Sequence, residues 1–312
     1  MGRVFRGLSR NLKLRQFGFL LAAITLGSGC SIKTLAVKTV ANTLSTPGDT
    51  FTRDDDPELV RAALPFGLKT FESLLESVPR HEPLLIATCS GFTSYAYAFV
   101  ETDADLLGSE DFEKAKALRD EALRLYLRAK GYCWRALGVR FKSAADRLQN
   151  EPQAALRRAK TRDVPLLYWS AASLGAAISV GKGRTDLLVD LPIVRALTER
   201  ALALDETWGN GSLHELMIAI ESQGEAFGGS ETRAREHFTR AVELQRGRSP
   251  GPYVSLAMNV SRSTQNREEF EKLMNQALAI DPAADKSNQL VAIITQRRAR
   301  SLLARIDELF IG

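Results

Sequence analysis

Cysteine and histidine side chains can bind metals and take part in catalysis, and this sequence contains only three of each. Cys89 and Cys133 belong to no CxxC pair. Our default interpretation is two buried thiols that pack as small hydrophobic groups, although an oxidising compartment would permit a disulfide between them. His81, His214 and His237 are scattered along the chain. We therefore predict neither a zinc site nor a thiol oxidoreductase.

Sequence motifs of enzymes are also missing. The chain has no nucleophile motif, Walker loop, GxGxxG or HExxH. Gly228 and Gly229 precede Ser230, which we expect to cap the next helix, so a turn accounts for both glycines. His214 has no candidate Ser or Cys nucleophile beside it. We predict a protein that is not an enzyme and that uses no cofactor or metal.

The N-terminal segment has the layout of a secretory signal. Residues 1–29 combine a basic start with an apolar run, FGFLLAAITLGSG, that is too short to span a bilayer. The ending Gly-Ser-Gly-Cys resembles the lipobox of bacterial lipoproteins, although Gly27 stands where that pattern usually has leucine. We predict a lipoprotein-type signal peptide over 1–29 and lipidation at Cys30. Ser31 after this cysteine favours the inner leaflet of the outer membrane.

The basic character of the chain comes from this segment. The formal net charge is +5, and residues 1–29 hold five basic residues and no acidic one. The remainder is neutral overall, so it has no compositional excess of basic residues for binding nucleic acid. We predict no nucleic-acid partner and a membrane contact through the lipid anchor only.

The rest of the chain has the periodicity of helices. Residues 30–56 comprise the anchor, a short helical pattern and an acidic linker. From 57 to 312 apolar residues recur at spacings of three and four, and no hairpin signal appears. Asp56 and Pro57 mark the start of the first helix of this part. The pattern predicts a single all-α domain over 57–312.

Several stretches of that domain share the spacings of the second helix of tetratricopeptide (TPR) repeats. Their alanines include Ala201, Ala234, Ala241 and Ala277, at intervals that are not a regular repeat. We predict TPR-like helical hairpins packed into a compact bundle or superhelix. A non-repeating helical bundle is the alternative.

Residues 165–179, PLLYWSAASLGAAIS, form an uncharged segment that is too short to span a membrane. Its small residues predict a helix that is buried on all sides. Aromatic residues on neighbouring helices would suit an apolar ligand cavity, because ligand pockets are concave and mostly apolar. Our candidates for lining a pore or cavity are Tyr95, Tyr97, Trp134, Tyr168, Trp169 and Trp208.

These stretches resemble the T-component (TatT) of tripartite ATP-independent periplasmic (TRAP) transporters. The resemblance rests on the order and spacing of LLYWSAASLGAAIS, LPIVRALTERALALDETW, GSLHELMIAI, GGSETRAREHFTRAVEL, GRSPGPYVSLAMNVS, QNREEFEKLMNQALAIDP and NQLVAIITQRRARSLLARIDELF. It implies a periplasmic lipoprotein of TPR-like helix pairs around a hydrophobic pore. It also implies a homotrimer that associates with the solute-binding subunit of the transporter. The implied role is to bind or pass an apolar or amphipathic small molecule, without catalysis.

A scaffold is the alternative function. A TPR-like envelope lipoprotein could bind a protein or peptide on the concave face of its helices. That function predicts a polar groove and no through-cavity, whereas the transport function predicts an apolar channel.

Overall fold

The computed structural model describes residues 36–45 and 50–310, except for residues 109, 143 and 182. Within those ranges the chain consists of helices, turns and short loops, and it contains no β-strand. The prediction of an all-α fold is confirmed. The predicted signal peptide and the predicted lipidation site at Cys30 lie outside the described residues.

The α-helices of the described ranges, in chain order, are α1 (36–45), α2 (Pro57–Ser77), α3 (Glu82–Tyr95), α4 (Thr102–Leu107), α5 (Phe112–Arg140), α6 (Ala144–Arg147), α7 (Pro152–Leu156), α8 (Val164–Val180), α9 (Thr185–Leu188), α10 (Leu191–Leu204), α11 (Ser212–Glu221), α12 (Glu231–Leu244), α13 (Gly251–Leu256), α14 (Arg267–Leu278) and α15 (Gln289–Ala304). The π-helical segments Ala96–Glu101 and Ala257–Ser261 continue α3 and α13. Short 3-10 helices lie at Thr161–Asp163, Trp208–Gly211, Glu225–Phe227, Pro282–Asn288 and Ile306–Glu308.

Capping side chains mark where the helices begin. The Asp56 carboxylate accepts hydrogen bonds of 3.0 Å from two backbone N–H groups in the first turn of α2, and Pro57 occupies the first position of that helix. The Ser230 hydroxyl accepts a hydrogen bond from the N–H of Arg233 at 3.4 Å and caps α12, as predicted. Helix α2 runs through Pro65 without ending there.

Helix α8 lies in the main apolar core and packs against α3, α5 and α10. Leu166, Leu167 and Leu174 on its buried side are at most 1% exposed. The prediction that α8 is buried on all sides is wrong, because its neighbours leave one side partly accessible to solvent. That side, called the α8 stripe below, consists of Pro165, Tyr168, Trp169, Ala172, Gly175, Ala176 and Ser179.

The α8 stripe lies along one face of the helix, because its members are three or four positions apart. It carries no charged residue. The neighbouring helices therefore cover these uncharged side chains only in part.

Consecutive helices pack side by side from α10 to α15. The alanines at the TPR-like positions, Ala201, Ala234, Ala241 and Ala277, are all 0% exposed. Small side chains at these contacts let neighbouring helices approach closely. This packing is compatible with helical hairpins, and the repeat itself stays a prediction.

Candidate ligand-binding surface

Three of the predicted aromatic residues meet at the N-terminal end of the α8 stripe. The ring centroid of Tyr168 lies 4.9 Å from that of Trp169 and 4.7 Å from that of Trp208. Trp208 comes from the short 3-10 helix before α11, so the fold brings together residues that are about forty positions apart in sequence. All three side chains are partly exposed. They form an aromatic group that is in contact with solvent-accessible space.

Two ionisable groups of this region have pKa values that are raised by burial. Burial, with a smaller contribution from Glu215, raises the pKa of the Tyr168 hydroxyl above its usual value. Burial also raises the pKa of the Glu215 carboxyl to about 7, and a hydrogen bond from Gln245 only partly opposes that rise. Tyr168 and Glu215 nevertheless keep part of their surface accessible to solvent. Both groups are therefore mostly surrounded by protein and keep a limited accessible surface.

The raised pKa of Glu215 makes stability depend on pH. Between its ordinary pKa of 4.5 and about 7, the unfolded chain loses this proton while the folded protein keeps it, so stability falls as the pH rises through that window. Replacing Glu215 with Gln keeps a neutral group there at every pH. We expect E215Q to be more stable than the native protein at pH 8, by about 3 kcal/mol, and to have no such advantage at pH 4.5.

Urea unfolding from pH 4.5 to pH 8, followed by circular dichroism, measures this difference. Glu76 is an exposed glutamate on α2, and E76Q is the matched control, which should follow the native protein at each pH. Parallel pH profiles for E215Q and the native protein would contradict the prediction.

Trp134 and Tyr95 lie in a neighbouring apolar cluster. They pack with Trp169 around Phe92 and the two cysteines of this region, and both are partly exposed. The ammonium group of Lys130 lies 4.9 Å from the centroid of the Trp134 ring. One face of the Trp134 ring is therefore in contact with a cation, so the surroundings of this residue are partly charged and not purely apolar.

Tyr97 has polar surroundings. Its hydroxyl lies 3.3 Å from Nη1 of Arg298, whose guanidinium is 5.6 Å from the centroid of the ring. Nη2 of Arg298 lies 2.6 Å from Oδ2 of Asp105. Tyr97 is therefore the candidate least suited to an apolar wall, because it borders an ion pair.

A disulfide joins α3 to α5 within the cluster that contains Trp169. Cys89 and Cys133 are both 0% exposed, and their Cα atoms are 5.5 Å apart. The default interpretation of two buried free thiols is therefore wrong, and the disulfide that an oxidising compartment would permit is present.

An open cleft of about 720 Å³ lies away from the aromatic group, between α10, α11 and α12. None of the six aromatic candidates lines it. At its floor the buried carboxylate of Glu221 binds both Arg195 and Arg233. This carboxylate with its two arginines was not predicted from the sequence, although one feature of the sequence indicated it. Glu221 lies four positions after Met217, on the buried face of an apolar helix, where an acidic residue requires a partner.

His214, for which the sequence offers no neighbouring nucleophile, lies beside this floor. Its Nδ1 is 2.8 Å from Nδ1 of His237, so one imidazole donates a hydrogen bond to the other. In the described ranges no group of three or more His, Cys, Asp or Glu residues is arranged to hold a metal ion. The described contacts of His214 are those of a hydrogen-bonded packing residue.

Comparison with known proteins assigns the family. The sequence profile of the TRAP transporter T-component family matches residues 53–310. The chain belongs to this family. A protein of Treponema pallidum (strain Nichols), described as "Uncharacterized protein", is 28% identical to this T-component over 312 residues, which cover 94% of this chain and 97% of that protein. The family supports a role as an accessory of TRAP transport, and it is not a known family of enzymes.

One helical run in the described part of this T-component is long and apolar enough to cross a membrane, by length and composition alone. It is Glu82–Leu107, with a mean hydropathy of 1.2 over its most apolar window. Half of that window is buried inside the fold, and α3, its first part, packs against α2, α5 and α8. These contacts are those of a core helix.

Proposed function

We propose that this T-component is a periplasmic lipoprotein, anchored through Cys30, that binds or passes a hydrophobic or amphipathic small ligand for a TRAP transport system. It acts as a homotrimer, associates with the solute-binding subunit and catalyses no reaction. The anchor holds it at the inner leaflet of the outer membrane. Family membership supports the transport role, and the layout of residues 1–30 supports the anchor.

The observation that carries the ligand-binding role is the α8 stripe. Seven uncharged residues on one face of a core helix remain accessible to solvent, and the rings of Tyr168 and Trp169 lie on that face. Apolar side chains gain free energy when water leaves them, at about 25 cal/mol per Å². A stripe of this kind is therefore a surface that an apolar ligand would cover.

The six aromatic candidates support the same role. Each of them is partly exposed. Trp134, Tyr168 and Trp208 border one apolar cluster, while Tyr95, Trp134 and Trp169 border the next. We assign these five to the wall of the ligand path and place Tyr97 at its polar edge.

Filling the α8 stripe tests this function. Ala172 lies between the Tyr168–Trp169 pair and Ala176 on the stripe, and A172L would occupy the accessible space with a larger side chain. We expect native mass spectrometry of the native protein to give a trimer, and solvent extraction to release a bound apolar molecule. A172L should retain the helical circular dichroism spectrum and lose most of that molecule.

Ala63 on α2 is exposed, so A63L adds the same side chain away from the stripe and is the matched control. It should retain the bound molecule. A monomeric native protein that releases no apolar molecule would contradict the proposed transport role and favour the scaffold function.

A further inference from the structure

The cleft between α10, α11 and α12 has a charged floor. The Glu221 side chain is only 1% exposed, and its carboxylate is 2.7 Å from Nη2 of Arg233 and also bonded to Nη1 of Arg195. Burial by itself would raise the pKa of this carboxyl, but the hydrogen bonds from Arg233 and Arg195 outweigh burial and lower it. Glu221 is therefore ionised at neutral pH, and two guanidinium groups share one buried carboxylate.

One hydrogen-bond donor at this floor is unused. Nη2 of Arg195 is buried and has no hydrogen-bond partner among the described residues. A buried donor without an acceptor is unfavourable, so an acceptor that reached it would bind favourably. The Arg233 side chain is 48% exposed, and its guanidinium is held in place because Nε and Nη2 bind Glu221 and Nη2 also donates to the backbone oxygen of Gly228 at 2.6 Å.

The charged side chains that line the cleft balance, because Glu221 and Glu199 oppose Arg195 and Arg233. Both carboxylates contact Nη1 of Arg195, Glu199 at 3.6 Å, so Nη2 of that guanidinium stays available as a donor. Hydrogen bonding to the guanidinium groups, rather than an excess of positive charge, therefore favours an anionic oxygen in this cleft. Burial and the neighbouring His214 lower the pKa of His237 to about 4, so this imidazole adds no charge at neutral pH.

The walls of the cleft are apolar. Leu191, Leu202 and Met217 line its sides, and Phe227, whose ring is 51% exposed, stands at the rim. A large exposed aromatic ring beside a concave apolar surface is a common feature of ligand sites. The volume of about 720 Å³ suits a small molecule with one hydrocarbon chain.

We propose that this cleft binds a small amphipathic monoanion, with its anionic oxygens on Arg195 and Arg233 and its apolar chain against Met217, Leu202 and Phe227. The site is separate from the α8 stripe, and it does not depend on the proposed transport role. Anionic oxygens fit here because guanidinium groups form strong charge-assisted hydrogen bonds to them.

Three probes with the same chain and different head groups test the proposal: decanoate, decanol and decyltrimethylammonium. Isothermal titration calorimetry on the purified native protein measures their affinities. We expect decanoate to bind at least about tenfold more tightly than decanol, since a charge-assisted hydrogen bond is worth that factor or more. The cation should bind most weakly.

Two variants locate the site. R195K keeps the charge and removes Nη2, so it should weaken decanoate about tenfold and leave decanol unchanged. F227A should weaken both probes, because both chains contact the ring. Phe112, which is 63% exposed and does not line the cleft, makes F112A the matched control, and that variant should bind like the native protein.

The comparison of probes on the native protein and the F227A variant test the proposal even if R195K fails to fold. Equal affinity for decanoate and decanol in the native protein would overturn the assignment of a monoanion. Unchanged binding in F227A, or no binding of any probe, would overturn the cleft as the site. The α8 stripe and its test with A172L would stand unaffected in either case.

Discussion

Reducing the disulfide between Cys89 and Cys133 should lower the free energy of unfolding by about 4 kcal/mol. The bond closes a loop across a sequence separation of 44 residues. In the chain-entropy model, a cross-link over a loop of that length removes about this much conformational freedom from the unfolded chain. The loss should be large because α3 and α5, which the bond joins, pack against each other and against α8 in the core.

Urea unfolding with and without a phosphine reductant measures the effect. The double variant C89A/C133A is the control, because it lacks the bond and should give the same curve with and without reductant. Thiol titration of the unfolded, unreduced native protein should find neither cysteine free. Two reactive thiols there, with curves that do not respond to reductant, would contradict the prediction.

Replacing Glu221 with Gln should destabilise the fold by about 3 kcal/mol, the scale of breaking a buried ion pair. The variant leaves Arg195, whose side chain is only 19% exposed, without its buried carboxylate. Arg233 can turn toward water, since it is 48% exposed, so most of the cost falls on Arg195. The cost arises because a guanidinium kept from water needs an opposite charge.

Glu199 provides the matched control, because it contacts the same guanidinium from the solvent side. E199Q should cost less than about 1 kcal/mol, as exposed ion pairs do. Urea unfolding at neutral pH measures both variants. Equal and small losses for E221Q and E199Q would mean that the buried carboxylate does not hold α10 and α12 to α11.

Much of the fold was predictable from the sequence, because helices depend on local patterns. The caps at Asp56 and Ser230 and the spacing of apolar residues predicted helix starts that the structure confirms. Packing around α8 was predicted less well. Its small residues indicated burial on all sides, whereas one face remains partly accessible because α3, α5 and α10 cover mainly the others.

The two candidate sites also differ in how far the sequence predicted them. Aromatic type alone selected Tyr168, Trp169 and Trp208, and the fold brings their rings together. No local pattern could have predicted the floor of the cleft. Arg195 lies 26 positions before Glu221, and Arg233 lies 12 positions after it, so only the packing of three helices brings them together.

The sequence by itself determined the helical class, the helix starts, the signal-like segment that ends at Cys30, and the resemblance to the T-component family. These properties depend on neighbours along the chain or on whole-chain similarity. Only the tertiary structure decided which face of α8 stays open, whether Cys89 and Cys133 are bonded, and where a buried carboxylate holds two arginines. Those properties depend on which helices cover one another, and contacts between distant residues leave almost no trace in the periodicity of a single sequence.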